Sequence, residues 1–284
     1  DLHYSDFWAD PGKQFPPKEW AYAGADALEK HVYDYTKDVL LKLKRLDLLP
    51  EMVQVGNEIT NGLMWPHGKW DNVDNIARFI SAGIRAVREV APDSRVTLLH
   101  LDCGGNNARC REWFDAYVQR GEDFDVIGLS YYPFWHGTID DLTNNMNDLS
   151  QRYQKDVIVA EVSMGFTMED YADREKLAPE ERKGMATKPN LAEAVEYPMT
   201  PEGQAAFMQK VMERIAQVPD GRGKGFYYWE PAWIPVPGCG WANEESLKYI
   251  QDPGPGGNEW ANQALFDYDG NALPALKVIR DFQK

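Results

Sequence analysis

Apolar residues along this chain follow two alternating patterns. Short, nearly uninterrupted runs occur at "LHYSD" (2–6), "MVQVG" (52–56), "RVTLLHL" (95–101), "FDVIGLSYY" (124–132), "DVIVAE" (156–161) and "GKGFYYWE" (223–230). Between them apolar positions recur every three or four residues with charges opposite, the signature of amphipathic helices. Across 26–48 these positions are Ala27, Val32, Tyr35, Val39, Leu43 and Leu46; across 73–90 they are Ile76, Phe79, Ile80, Ile84, Val87 and Val90. The same spacing predicts helices near 107–120, 139–154, 202–217 and 274–283.

Strands apolar on both faces, alternating with such helices, specify an α/β fold with a parallel sheet covered by helices. An open doubly wound sheet would carry a glycine-rich phosphate turn after its first strand. The only comparable stretch, "DCGGNN" (102–107), has neither GxGxxG nor GxxxxGK spacing. The expected architecture is therefore the (β/α)8 TIM barrel, with six βα units visible where a complete barrel has eight. A single domain spans 1–284, without a linker or tandem repeat beyond the βα rhythm. Its long loops, 7–24, 162–198 and 231–263, all follow strands, on the face where barrel enzymes build their sites.

Composition narrows the partners. The net charge of −15 argues against nucleic acid or an anionic membrane. No apolar run approaches the ~18 residues of a membrane span. Aromatic residues make up 12%, with ten Trp, many in loops, where they can serve as stacking platforms for flat ligand faces such as sugars. Cys103, Cys110 and Cys239 allow at most one bridge, lack zinc-ligand spacing and leave the redox compartment open.

Two acids stand where apolar residues would be expected. Glu58 ends the strand of "VQVGNEITNG", and Glu161 ends "DVIVAE". In a parallel barrel the strand C-termini gather on one face, so these carboxylates can meet across the mouth. Two carboxylates in that position are the minimum apparatus of glycoside hydrolysis, one a proton donor and the other an anion at the anomeric carbon. Their proximity would separate their proton affinities. Asn57, beside Glu58, offers an amide to a sugar hydroxyl next to the reacting carbon.

At these residues the sequence resembles a known family. "DLHYSDFWADPGKQ", "VQVGNEITNGLMWPHG", "VIVAEVSMGFT" and "FYYWEPAWIPV" together look like the arabinogalactan endo-β-1,4-galactanases, glycoside hydrolase family 53, of the retaining (β/α)8 clan. The resemblance implies Glu58 as acid/base at the end of the fourth barrel strand and Glu161 as nucleophile at the end of the seventh. The visible units would then be the third to eighth, with two more upstream, and the chain is expected to be an N-terminally truncated barrel. The resemblance further implies His3 beside the catalytic pair, Tyr131 or Tyr132 as hydrogen-bond donor to the nucleophile, and Trp229 under the sugar. Asp6, Trp8, Asp102, Trp135 and Trp233 are candidate subsite residues.

The implied ligand is β-1,4-galactan, a neutral pectic side chain, handled by a monomer that is secreted, periplasmic or on the cell surface. The localisation rests on the substrate alone. Catalysis is expected to need no cofactor. Some bacterial relatives hold calcium after the nucleophile strand; here Glu169, Asp170, Asp173 and Glu175 supply hard oxygens, without DxDxDG spacing, and a solvated acidic loop is the preferred reading. Two alternatives stand beside this one: a retaining glycanase for another β-1,4-linked polymer, and a non-catalytic galactan-binding fragment.

Overall fold

The structure is a computed structural model that describes residues 1–92, 97–174, 176, 189–236, 240, 242–251 and 258–283. Helix α1 (Ala25–Arg45) leads to strand β1 (Val53–Gln54), followed by α2 (Val73–Val90), β2 (Thr97–Leu101), α3 (Asn107–Tyr117), β3 (Val126–Tyr131), α4 (Ile139–Tyr153) and β4 (Asp156–Val162). Two one-turn helices come next, α5 (Tyr171–Arg174) and α6 (Pro189–Ala192). They precede α7 (Pro201–Ala216), β5 (Gly223–Tyr228), α8 (Glu244–Ile250) and α9 (Pro274–Asp281). The five strands form one parallel sheet in the order β1-β2-β3-β4-β5.

The helices begin where side chains satisfy their first N–H groups. Asn72 caps α2, Asn106 caps α3, Thr200 caps α7 ahead of Pro201, and Thr138 with Asp141 forms a reciprocal capping box on α4. The apolar stripe of α1, with Leu28, Val32 and Leu40 buried, lies against α2. Around it Arg78 reaches Asp26 and Glu29, and Arg85 also reaches Glu29.

The sheet has two differently used faces. Leu99, Leu101, Ile127, Leu129, Val157 and Val159 belong to the large core shared with the helices. Leu98, Val126 and Ile158 form a separate small cluster on the opposite face. Toward the strand C-termini that second face turns polar, with His100 and Ser130 fully buried.

The strand expected at 2–6 is reduced to one parallel bridge, Leu2 to Val55, made by Leu2 N–H to Gln54 O and Gly56 N–H to Leu2 O. The chain turns away at Tyr4, whose φ is 52°. The cause lies in tertiary contacts: the Tyr4 hydroxyl bonds Thr36 Oγ1 of α1, and the Ala9 N–H folds back onto His3 Nδ1. The described architecture is thus a five-stranded parallel half-barrel with a sixth segment at its edge. The expected helices all form, each ending within a few residues of its predicted limits.

Candidate active site

Glu58 lies beyond β1, after Gly56 at φ 79°, and itself adopts a left-handed backbone with φ 46° and ψ 50°. Such a conformation costs a non-glycine residue about 1–2 kcal/mol and persists where surroundings enforce it. Here the enforcement is explicit. Buried Gln14 donates its amide to Asn57 O at 2.7 Å and to Glu58 O at 3.3 Å. Trp113 Nε1 donates to Ile59 O, and Arg109 Nη2 donates to Thr60 O. Four consecutive carbonyls are therefore held, and the carboxylate is turned back over the sheet end.

Glu161 reaches the same place through an irregularity in β4. Leu129 pairs with Val159, yet the next residue, Ser130, pairs with Glu161, so β4 accommodates an extra residue there. Without that bulge Glu161 would fall level with Tyr131, whose ring faces the helices and stacks on Phe207 of α7. With it, Glu161 shares the face of Ser130.

The result is a tight cluster. One carboxylate oxygen of Glu58, one of Glu161 and a ring nitrogen of His100 all lie within 4.8 Å of one another. Each glutamate is only 8% exposed. The Ser130 hydroxyl is 2.6 Å from Glu58 Oε1. The Tyr132 hydroxyl donates to Glu161 Oε2, also at 2.6 Å.

Burial raises the proton affinity of both carboxyls, but their neighbours separate them. Glu58 is pushed well above the carboxylate range by burial and then by the negative charge of Glu161, against the smaller opposing effect that the Ser130 hydroxyl has when it donates to the ionised carboxylate. Glu161 is raised by burial too, while hydrogen bonds from Tyr132 and Asn57 favour its ionised form. Asp102 and Asp10 raise both. At neutral pH the arrangement favours one proton on the pair, carried by Glu58, with Glu161 as the anion.

The other expected residues divide. Asn57 is buried beside the pair; its amide nitrogen donates to Ala9 O, and its proximity favours the ionised form of Glu161. Tyr132, not Tyr131, donates to Glu161; the Tyr131 hydroxyl goes to Gly137 O. Among the described residues no hydrogen bond joins His3 to either carboxylate. Its Nδ1 accepts from Ala9 N–H and its Nε2 pairs with Asp1, and burial holds the ring neutral with a pKa near 4. Asp102 borders a cavity of about 770 Å³ with Thr60, Arg109, His136 and Trp135, whose indole is 53% exposed.

Trp229 sits just past β5, its N–H on Val162 O, and Trp233 Nε1 donates to Asn258 Oδ1. Asp6 accepts Lys18 N–H at the start of a 3₁₀ turn, and Trp8 lies under the Lys13 ammonium.

The acidic loop does not form a calcium cage among the described residues. Asp170 Oδ1 accepts Ala172 N–H and so caps α5, Asp173 lies within that one-turn helix, and Glu175 is outside the described residues, as is Cys239. Among the described residues the one set able to hold a metal is Glu58, His100 and Glu161. Both ring nitrogens of that histidine are already in hydrogen-bond contact, Nδ1 with Asn57 Oδ1 at 2.9 Å and Nε2 with Ser130 Oγ at 2.7 Å. This donor set is organised for proton chemistry. No helix of the described residues is long and apolar enough to cross a membrane.

Sequence reasoning missed His100, Ser130 and Gln14. His100 carried a usable signal, a titratable residue inside the apolar run "TLLHL", whereas Ser130 and Gln14 carried none.

The sequence profile of Glycosyl hydrolase family 53 matches residues 1–279. An endo-β-1,4-galactanase of Bacillus subtilis is 38% identical over 99% of this chain, which spans 66% of that relative. The solved catalytic domain of an Ignisphaera aggregans family 53 protein superposes with a TM-score of 0.83 at 36% identity, over 98% of this chain and 71% of the other. A fungal β-1,4-galactanase follows at 0.74 and 27%, over 99% and 76%. With the profile spanning nearly every residue that builds the paired-glutamate site, the chain belongs to glycosyl hydrolase family 53.

Proposed function

We propose that this chain is the catalytic part of a retaining endo-β-1,4-galactanase. The observation that carries the reading is the pairing of Glu58 and Glu161, with oxygens no more than 4.8 Å apart and with environments that favour opposite protonation states. Retaining glycosidases hold their carboxyls about 5–5.5 Å apart, whereas inverting ones leave about 6.5–9.5 Å for a water.

In the first step Glu58 gives its proton to the glycosidic oxygen as Glu161 attacks the anomeric carbon. Ester formation neutralises Glu161, which removes the main like charge facing Glu58. The proton affinity of Glu58 then falls, and it accepts a proton from the water that hydrolyses the ester. Tyr132 and Asn57 hold Glu161 ionised and oriented before attack. The cavity edged by Asp102 and Trp135 supports an extended sugar chain, as an endo-acting enzyme requires.

The galactan preference is supported by the galactanase name of the Bacillus subtilis relative, and by a net charge of −15 that suits a neutral polymer better than an acidic one. Since that polymer lies outside cells, action outside the cell is part of the same proposal. The edge segment at Leu2 and the outer edge of β5 carry no further strand among the described residues. Closure of the barrel by two more βα units would cover them.

Reducing-sugar release from galactan, glucan, mannan and xylan tests the substrate, and proton NMR of the first-formed anomer tests retention. Turnover of galactan with β product first is the expected outcome. Preference for xylan or glucan would move the chain to the alternative glycanase reading, and binding without turnover would favour the binding-fragment reading.

A further inference from the structure

Glu58, Ser130, His100 and Asn57 form a continuous chain of contacts, 2.6 Å from Glu58 Oε1 to Ser130 Oγ, 2.7 Å from Ser130 Oγ to His100 Nε2, and 2.9 Å from His100 Nδ1 to Asn57 Oδ1. Each contact needs one hydrogen, and the hydrogens can be counted from the far end.

Asn57 is oriented by its own donors. Its Nδ2 donates to Ala9 O, so Oδ1, 2.9 Å from His100 Nδ1, faces that ring as an acceptor. Gln54 Nε2 lies 3.1 Å from His100 Nδ1, but a bare Nδ1 would set two acceptors face to face at 2.9 Å, because Asn57 Oδ1 can only accept. The two nearer neighbours of Gln54 Nε2 are oxygens, Asn57 Oδ1 at 2.9 Å and Asp1 Oδ1 at 3.0 Å, and its two hydrogens suffice for those. His100 must therefore carry hydrogen on Nδ1. Complete burial, with His3 and His136 nearby, keeps the ring neutral with a pKa near 3, so Nε2 is bare and accepts the Ser130 hydroxyl hydrogen. Ser130 has no second hydrogen, and the short contact to Glu58 is then filled only by a proton on Glu58.

We propose that His100 is a positioning residue that acts through Ser130: by accepting the serine hydroxyl it turns the serine oxygen into an acceptor and holds the acid's proton on Glu58. This rests on the assignment of Glu58 as acid/base. When Glu58 protonates the leaving oxygen, its O–H bond breaks and a new O–H bond forms on the departing sugar. The intact Ser130 O–H then rotates from His100 Nε2 to the new carboxylate. His100 Nε2 is left buried without a donor, an unfavourable state that lasts until water reprotonates Glu58 and the serine swings back. Ser130 thus has two settings, and His100 makes the protonated-acid setting the resting one. The charged and titratable groups facing Glu58 are Glu161 from β4, Asp102 after β2 and Asp10 from the first loop. None of these can take the place of Nε2 as acceptor for the serine, because Nε2 already occupies that position at 2.7 Å.

Nitrogen-15 NMR of the whole chain with labelled histidine reads the tautomer without any substrate. His100 should be neutral at pH 7 with hydrogen on Nδ1, and its Nε2 resonance should shift as Glu58 titrates although the ring stays neutral. A hydrogen on Nε2, or a charged ring, would overturn the proposal.

The pH profile of kcat/KM on galactan supplies the second readout. His100→Phe frees Ser130 to donate to Glu58, favours the ionised acid and should lower the upper pKa by about one unit. Ser130→Ala removes that donor and should not lower it. His100→Gln, whose amide can accept from Ser130 and donate to Asn57, should restore the upper pKa in part. An upper limb unmoved in His100→Phe, with only kcat reduced, would assign His100 a structural role and refute the switch. Should His100→Phe not fold, the NMR result and the Ser130→Ala profile decide. Absence of galactan turnover would count against the proposed activity and leave the tautomer test intact.

Discussion

The Tyr132 hydroxyl donates to Glu161 Oε2 at 2.6 Å, while the neighbouring Tyr131 faces the opposite side of the sheet and stacks on Phe207. One residue along a strand separates a group that touches Glu161 from one that packs against a helix. The Tyr132 bond lowers the proton affinity of Glu161, which burial raises. Its removal in Tyr132→Phe should raise the lower pKa of the kcat/KM profile, so that activity is lost first at acidic pH. The upper limb, set by Glu58, should stay in place. A ten- to hundredfold fall in kcat is expected, about 1.4–2.7 kcal/mol.

The two glutamates should fail in different ways. Glu58→Ala should retain rapid glycosylation with an aryl galactoside whose leaving group needs no proton, and azide should restore turnover with a β-galactosyl azide. Glu161→Ala should leave galactan binding measurable, abolish hydrolysis, and give the α-azide if any is formed. Product stereochemistry by NMR separates the cases, and exchanged outcomes would exchange the assignments.

The pair should also carry a pH-dependent stability cost. A carboxyl with a folded-state proton affinity above its unfolded value favours folding in acid, and that contribution is lost as pH rises through the folded pKa. Glu58 is raised well above the carboxylate range, so its ionisation weighs against the fold at alkaline pH. Glu58→Gln should therefore raise Tm more at pH 9 than at pH 4, by about 3 °C or more, in parallel thermal melts. An equal gain at both pH values would mean that packing, not charge, is responsible.

Gln14 holds the strained turn that presents Glu58, through the carbonyls of Asn57 and Glu58. Gln14→Ala should cost about 1–3 kcal/mol in denaturant unfolding, the range for leaving buried polar groups unpaired. It should also lower kcat more than it raises KM, because Gln14 fixes the acid and not the sugar. Wild-type kcat in that variant would refute the link between turn and acid.

Local pattern was enough to place α2 at 73–90 and α4 near 139–154, because helix periodicity and caps lie within a few residues of one another. It was not enough for 2–6, where the Tyr4–Thr36 contact, 32 residues apart, ends the strand after a single bridge. In the acidic loop the sequence offered ligand types, whereas the contact the structure gives Asp170 is a helix cap.

For the site itself the division has the same cause. The sequence alone determined that Glu58 and Glu161 stand at the ends of apolar strands, and a parallel sheet necessarily collects such ends on one face. Only the tertiary structure decided how they meet. The β4 bulge sets the face on which Glu161 lies, Gln14 and Trp113 hold the left-handed turn at Glu58, and Ser130 and His100 settle where the proton resides. Register and hydrogen-bond partners are fixed by residues up to a hundred positions apart, and the periodicity of any one segment does not contain them.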